Sequence, residues 1–323
     1  MAKNKEVDNS TTVTKKDVGK ATTSLLRRIV LGFAIIGILT SSILLASYIK
    51  ETKSNKQYVD APEYSVNEEN TQTTEVTQPD NGKEIEVKQK YTALLNTNSD
   101  FVGKLYIDAI EEAGFIVVQG KDNEKYLTTG FKGETTRYGT LFVDYRNNVQ
   151  NFDTNTIIYG HNMRDGSQLG SLSLYEEIDN YKAFPTVKFN TIYGDNEWKI
   201  FAAFKINTKK SDDNGYVFPY LTTEFNSDEK FMEFIDDVKT RSYYVNEAID
   251  IKPGDKILTL STCDTVFDGA RFVLMARLVR DGESAEVDVD AAVENENQRF
   301  PQAWYDKKGK KNPFKNADNF TLD

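Results

Sequence analysis

Residues 256–279 read "KILTLSTCDTVFDGARFVLMARLV". In the first half Ile257, Thr259 and Ser261 alternate with Leu258, Leu260 and Thr262, the period of a strand with one buried face. Turn-forming residues follow, Asp268 and Gly269 among them, and a second apolar run opens at Arg271. The pattern predicts a β-hairpin. Paired strand ends lie about 5 Å apart, so the hairpin returns Arg271 to the side of Cys263, the single cysteine of the chain.

Outward from the hairpin, short β-rich runs recur between Gly, Asn and Asp: "FVGKLYI", "GFIVVQG", "GTLFVDY", "NTIIYG", "TVKFNTIYG" and "EWKIFAAFKI". With the hairpin they make about eight strands, a mainly β pattern that fits a sandwich or, in the favoured reading, a closed barrel. One helix interrupts the series. "NSDEKFMEFIDDVKTRS", residues 226–242, puts Phe231, Phe234, Ile235 and Val238 on one face, and Asn226 with Glu229 has capping-box spacing. A shorter helical pattern precedes the strands in "EIEVKQKYTALLNTN", with Val87, Tyr91, Leu94 and Leu95 on its face.

The termini divide by composition. Residues 1–28 carry seven Lys/Arg against three acids, and residues 29–49 contain no charge. A run of that length matches the roughly 20 residues a membrane-crossing helix needs, and Arg27 and Arg28 place the N-terminus in the cytoplasm. A cleaved signal peptide is the competing reading, but its apolar core is normally only about 7 to 15 residues. Residues 50–87 are polar and poor in aliphatics, the composition of a flexible tether. Residues 88–282 make the folded domain. The extension 283–323 is first acidic, then basic and aromatic, and its Trp304, Tyr305 and Phe314 suit either packing on the barrel or a loose tail. Outside the N-terminal tail the net charge is −14, which disfavours nucleic acid as a partner.

One cysteine cannot close an intramolecular disulfide, and one histidine, His161, cannot build a histidine metal site. No metal or cofactor is expected. The thiol is left as a structural group, an intermolecular link or a nucleophile. Arg271 beside it would favour thiolate and could donate to an oxyanion; the plainer alternative is a surface pair with Asp264 or Asp268. His161, at a strand end in "YGHNM", could serve as the acid/base partner of the thiol.

"TLSTC" with an arginine eight positions on, and "YGHNM" about a hundred residues upstream, is similar to the sortases, membrane-anchored cysteine transpeptidases of Gram-positive surfaces. "VVQGKDNEKYL", "LFVDYRNN", "IIYGHNMRDGSQLGSL" and the helix at 227–242 resemble the class B branch. The resemblance implies an eight-stranded barrel with N-terminal helices and a long helix between the sixth and seventh strands. It implies that Cys263 attacks the carbonyl after Thr in an NPQTN- or NPxTG-like sorting signal of a surface protein. The thioacyl enzyme then passes to an amino group of a lipid II-like peptidoglycan precursor. His161 would be the acid/base and Arg271 the oxyanion or positioning residue; Ser261, Thr262, Tyr220, Leu221, Asn123 and Tyr159 would border the groove. The chain would be a single-pass membrane protein with its catalytic domain outside, facing the wall. A pilus-polymerising relative, a cysteine hydrolase and a non-catalytic anchored binding module are the rival readings. "GFIVVQG" and "GSQLGSL" depart from the usual pattern, the latter with Gln168 and Leu169 where Met and Phe are common.

Overall fold

In the computed structural model the quoted stretch forms an antiparallel pair, Ile257–Cys263 against Ala270–Leu278. The structure describes residues 31–47, 74–75, 86–87 and 89–322. The chain divides into two units, Met1–Lys56 and Gln57–Asp323.

In the larger unit, eight strands close into a barrel. They are β1 Phe101–Ile107, β2 Glu111–Val118, β3 Leu141–Val143, β4 Asn155–Tyr159, β5 Thr186–Thr191, β6 Glu197–Asn207, β7 Ile257–Cys263 and β8 Ala270–Leu278. The order is β7-β8-β6-β5-β1-β2-β3-β4, closed by a β4–β7 pair. Only β2–β3 and β4–β7 are parallel. Leu258 and Leu260 of β7, Phe272 and Leu274 of β8 and Trp198 of β6 fill the interior.

The expected solvent face of β7 is buried too. Ile257, Val273 and Met275 pack with Phe231, Phe234, Ile235 and Val238 of the helix α3, Asp228–Arg241, in the β6–β7 connection. Thr259 Oγ1 donates to Asn155 Oδ1 at 2.6 Å. The alternation of Thr and Ser with Leu therefore separates two buried faces, the outer one satisfied by hydrogen bonds. The cap of α3 also differs from expectation. Ser227, in extended conformation, accepts from the Lys230 backbone N–H, so the helix starts on Ser227 rather than Asn226.

Before the barrel, Thr74–Glu75 pairs with Glu86–Val87 inside the stretch expected as a tether, so Val87 belongs to a ribbon instead of a helical face. The helical turns begin at Gln89–Tyr91 and continue as α1, Thr92–Thr97, burying Tyr91 and Leu94. The C-terminal extension packs on the barrel. Phe300 stacks on Trp304 at 3.8 Å and meets Tyr243 edge-on, Tyr305 is buried, and Phe320 joins Phe218 and Phe234 over α3. Trp304 and Tyr305 lie on α4, Gln302–Lys308; α2, Ile178–Ala183, lies before β5.

In the smaller unit residues 31–47 are helical with their large apolar side chains exposed. The ends of the expected span, residues 29–30 and 48–49, lie outside the described residues, as does the tail 1–28. Among the described residues no helix is long and apolar enough to cross a membrane.

Candidate active site

The parallel β4–β7 ladder builds the site. Tyr159 pairs with Ser261, and parallel strands leave a sheet at the same end. Two residues further on, His161, just past the end of β4, and Cys263, the last residue of β7, emerge from neighbouring strands spaced about 4.8 Å apart. Antiparallel pairing on the other edge of β7 sets Arg271 opposite Cys263. All three side chains line one cavity of about 310 Å3.

The thiol of Cys263 is free and exposed. Asn162 Nδ2 donates to the Cys263 carbonyl at 2.6 Å, and the Asp264 N–H donates to Ala270 O at 3.0 Å, which fixes the backbone around the thiol from both sides. The acids that could have captured Arg271 are taken by lysines: Asp264 pairs with Lys205 at 3.2 Å and Asp268 with Lys209. Among the described residues no carboxylate pairs with Arg271, whose Nη1 donates to Ala270 O at 3.0 Å. Its guanidinium keeps donors for the cavity.

His161 is half-buried, and its Nε2 donates to Leu127 O at 2.7 Å. A carbonyl only accepts, so the proton sits on Nε2 and the basic nitrogen of the neutral ring is Nδ1. Gly160 matters for packing: a Cβ there would come within 2.7 Å of the buried Leu169 Cγ. Gln168 is buried with φ 56°, and its Nε2 donates to Gly139 O at 3.4 Å.

Tyr220, Leu221, Ser261, Thr262, Asn123 and Tyr159 all line the cavity. Tyr220 Oη and Ser261 Oγ are 3.1 Å apart, and burial raises the Tyr220 phenol pKa. Sequence reasoning missed Leu127, Thr140, Phe142 and Thr208 in the lining, and Asn162 beside His161. Asn162 in "YGHNM" carried a signal, since an amide next to the acid/base is a ready backbone clamp; Leu127 and Phe142 lie in the quoted motifs "VVQGKDNEKYL" and "LFVDYRNN", whereas Thr140 and Thr208 lie in none. Among the described residues no group of three or more His, Cys, Asp or Glu side chains could hold a metal ion.

Asp144 organises the walls. Its buried carboxylate accepts from Asn123 Nδ2 at 3.0 Å, Tyr159 Oη at 2.9 Å and Arg146 Nε and Nη2 at 2.9 Å each. Arg146 Nη2 also donates to Leu221 O at 3.1 Å. One carboxylate thus ties together three wall segments and occupies the polar tips of Asn123 and Tyr159. Burial by itself would raise the Asp144 carboxyl, but the Arg146 guanidinium, its backbone N–H, Tyr159 and Asn123 outweigh it and hold the pKa at about 2. A depressed carboxyl contributes stability above its unfolded pKa, roughly 4, and loses it as pH falls towards 2. Asp144→Asn should cost about 2 kcal/mol at pH 7 in urea unfolding and much less at pH 2.5. Peptide turnover by the same variant should show a raised KM; an unchanged KM would mean that the walls hold without the carboxylate.

The Sortase domain family matches residues 105–279. Sortase B of Listeria monocytogenes is 37% identical over 196 residues, 60% of this chain and 76% of that protein. Among solved structures, sortase B from Bacillus anthracis in complex with AAEK1 superposes with a TM-score of 0.58 at 29% identity, covering 72% of this chain and 99% of that one. A Staphylococcus aureus sortase B–substrate complex gives 0.54 at 30% identity, covering 60% and 86%. With the Sortase domain spanning more than half of the chain and a sortase B relative 37% identical to it, the chain belongs to the sortase family of transpeptidases, in its B class.

Proposed function

We propose that this sortase cuts an NPQTN- or NPxTG-like signal after Thr and joins the surface protein to an amino group of a peptidoglycan precursor. The Cys263 thiol gives its proton to His161, and its sulfur attacks the Thr carbonyl carbon. Arg271 donates to the oxyanion, the C–N bond to the next residue breaks, and His161 gives the leaving amine its proton. The acceptor amine then attacks the thioester, the C–S bond breaks, and His161 takes the amine's proton. Leu127, Phe142, Tyr220 and Leu221 offer the motif an apolar wall, and Ser261 and Thr262 offer hydroxyls. The apolar 29–49 segment would anchor the enzyme with its N-terminus cytoplasmic and the barrel facing the wall.

The observation that carries this reading is the Cys263–Arg271 pair, with both nearby acids neutralised by lysines, at the mouth of the cavity that also holds His161. The test is the full-length chain in detergent with fluorogenic NPxTx peptides, with and without triglycine. Cleavage plus a peptide–glycine product is expected. Cleavage that ignores the amine would make the enzyme a hydrolase, and no cleavage of any peptide would sink the proposed signal.

A further inference from the structure

The C-terminal extension lies beyond the matched family region, which ends at residue 279. Five lysines fall between residues 307 and 315, in "KKGKKNPFK", all of them exposed, and no acid lies among them. Lysines 307 and 308 close α4, where basic residues suit the negative end of the helix dipole. That accounts for two of the five.

Lys310, Lys311 and Lys315 are different. Together with the amides of Asn214, Gln302 and Asn312 they line a cleft of about 660 Å3 with no carboxylate in its lining. Among the described residues none of the three forms an ion pair, on a chain whose net charge is −10. Their loop is built instead of loose. Gly309 takes the left-handed conformation at φ 63°, the Lys310 N–H donates to Tyr305 O at 2.9 Å, and Lys310 Nζ lies 5.5 Å from the Trp304 ring centre. The nearly buried Asn312 donates to Gln302 Oε1 at 3.0 Å and accepts the Phe314 N–H at 2.7 Å. The fold therefore holds three like charges around one concavity, where the carboxylates of Asp213 and Asp306 bond to Gln302 and not to the lysines, an arrangement that an external anion stabilises.

We infer that this cleft is a second binding site, for a phosphate-bearing polyanion. Ammonium groups on flexible stems suit phosphate as point charges; the amides of Gln302 and Asn312 already donate one N–H each, to Asp306 and to Gln302, and have a second N–H to offer a phosphate oxygen. A concave cleft suits a chain that enters it better than a flat bilayer. The site is also near the chemistry: Thr208 lines the catalytic cavity and Asn214 the cleft. Six residues of chain span at most roughly 20 Å.

The test measures fluorescent inorganic polyphosphate binding to the full-length chain in neutral detergent by anisotropy, against the triple variant Lys310→Gln, Lys311→Gln, Lys315→Gln. A control variant neutralises Lys121, Lys182 and Lys256. The cleft variant should bind at least about tenfold more weakly, and its slope of log K against log salt should fall by roughly 2, as loss of three phosphate contacts requires. Thermal melting and peptide cleavage should be unchanged, since these side chains are exposed and outside the catalytic cavity. Equal binding by wild type and cleft variant, or equal loss in the control, would overturn the site. Polyglutamate binding as strong as polyphosphate would overturn the phosphate assignment. Lysine-dependent binding to phosphatidylglycerol nanodiscs without binding of polyphosphate would give the patch to the bilayer instead.

Discussion

Cys263→Ala should leave a folded protein with no measurable peptide cleavage or transfer, a loss on the order of 10^4- to 10^6-fold in kcat. The fold has no stake in the thiol, which is exposed and unbonded, so the melting temperature should move by less than about 2 °C. The other two members should rank below it. His161→Ala is expected to lose about 10^2- to 10^4-fold as an acid/base. Arg271→Ala should lose roughly 10^2- to 10^3-fold in kcat as an oxyanion donor, and Arg271→Lys should recover only part because it lacks the planar fork. Residual activity in Cys263→Ala above background would mean that another group attacks the carbonyl.

Glu283→Ala should produce the largest loss of stability, about 3–5 kcal/mol. Arg277 of β8 is 1% exposed and is held bidentately by Glu283 at 2.7 and 2.6 Å, with Lys199 joining the same carboxylate at 2.7 Å. Removing Glu283 leaves a buried guanidinium in the barrel wall with only the more distant, exposed Asp250 at 3.9 Å as counter-ion. The Arg277 and Lys199 bonds outweigh the opposing effect of burial and hold the Glu283 carboxyl well below the usual range. Its contribution is present above the ordinary Glu pKa of roughly 4 and is lost as pH falls below it. Urea unfolding at pH 7 should show the deficit, which should shrink at pH 2 to 3. A deficit that stayed constant with pH would assign the effect to packing.

Glu283 also marks where composition misleads. A boundary at residue 282 follows the onset of acidic residues, yet the first acid of the extension neutralises a strand residue, and Phe320 at the far end covers α3. Composition reports average solvation, and neither contact is an average property. The same limit applies to β7. Its alternating Thr, Ser and Leu reveal a strand, but only the position of α3 and the hydrogen bonds of Thr259 and Ser261 reveal that both faces are buried.

What the sequence determined by itself was everything carried by short separations. The strand period, the turn at Asp268 and Gly269 and the return of Arg271 to Cys263 depend on contacts within about ten residues, where backbone geometry leaves few choices. The family motifs around His161 and Cys263 were legible for the same reason. Tertiary structure alone decided the pairing of Tyr159 with Ser261 across about a hundred residues, which brings His161 to the thiol. It also decided that Asp264 and Asp268 pair with Lys205 and Lys209, so that among the described residues no carboxylate pairs with Arg271, and that Asp144 joins Asn123, Tyr159 and Arg146 into one wall. These depend on barrel closure, a global condition on strand order and register that no local pattern encodes.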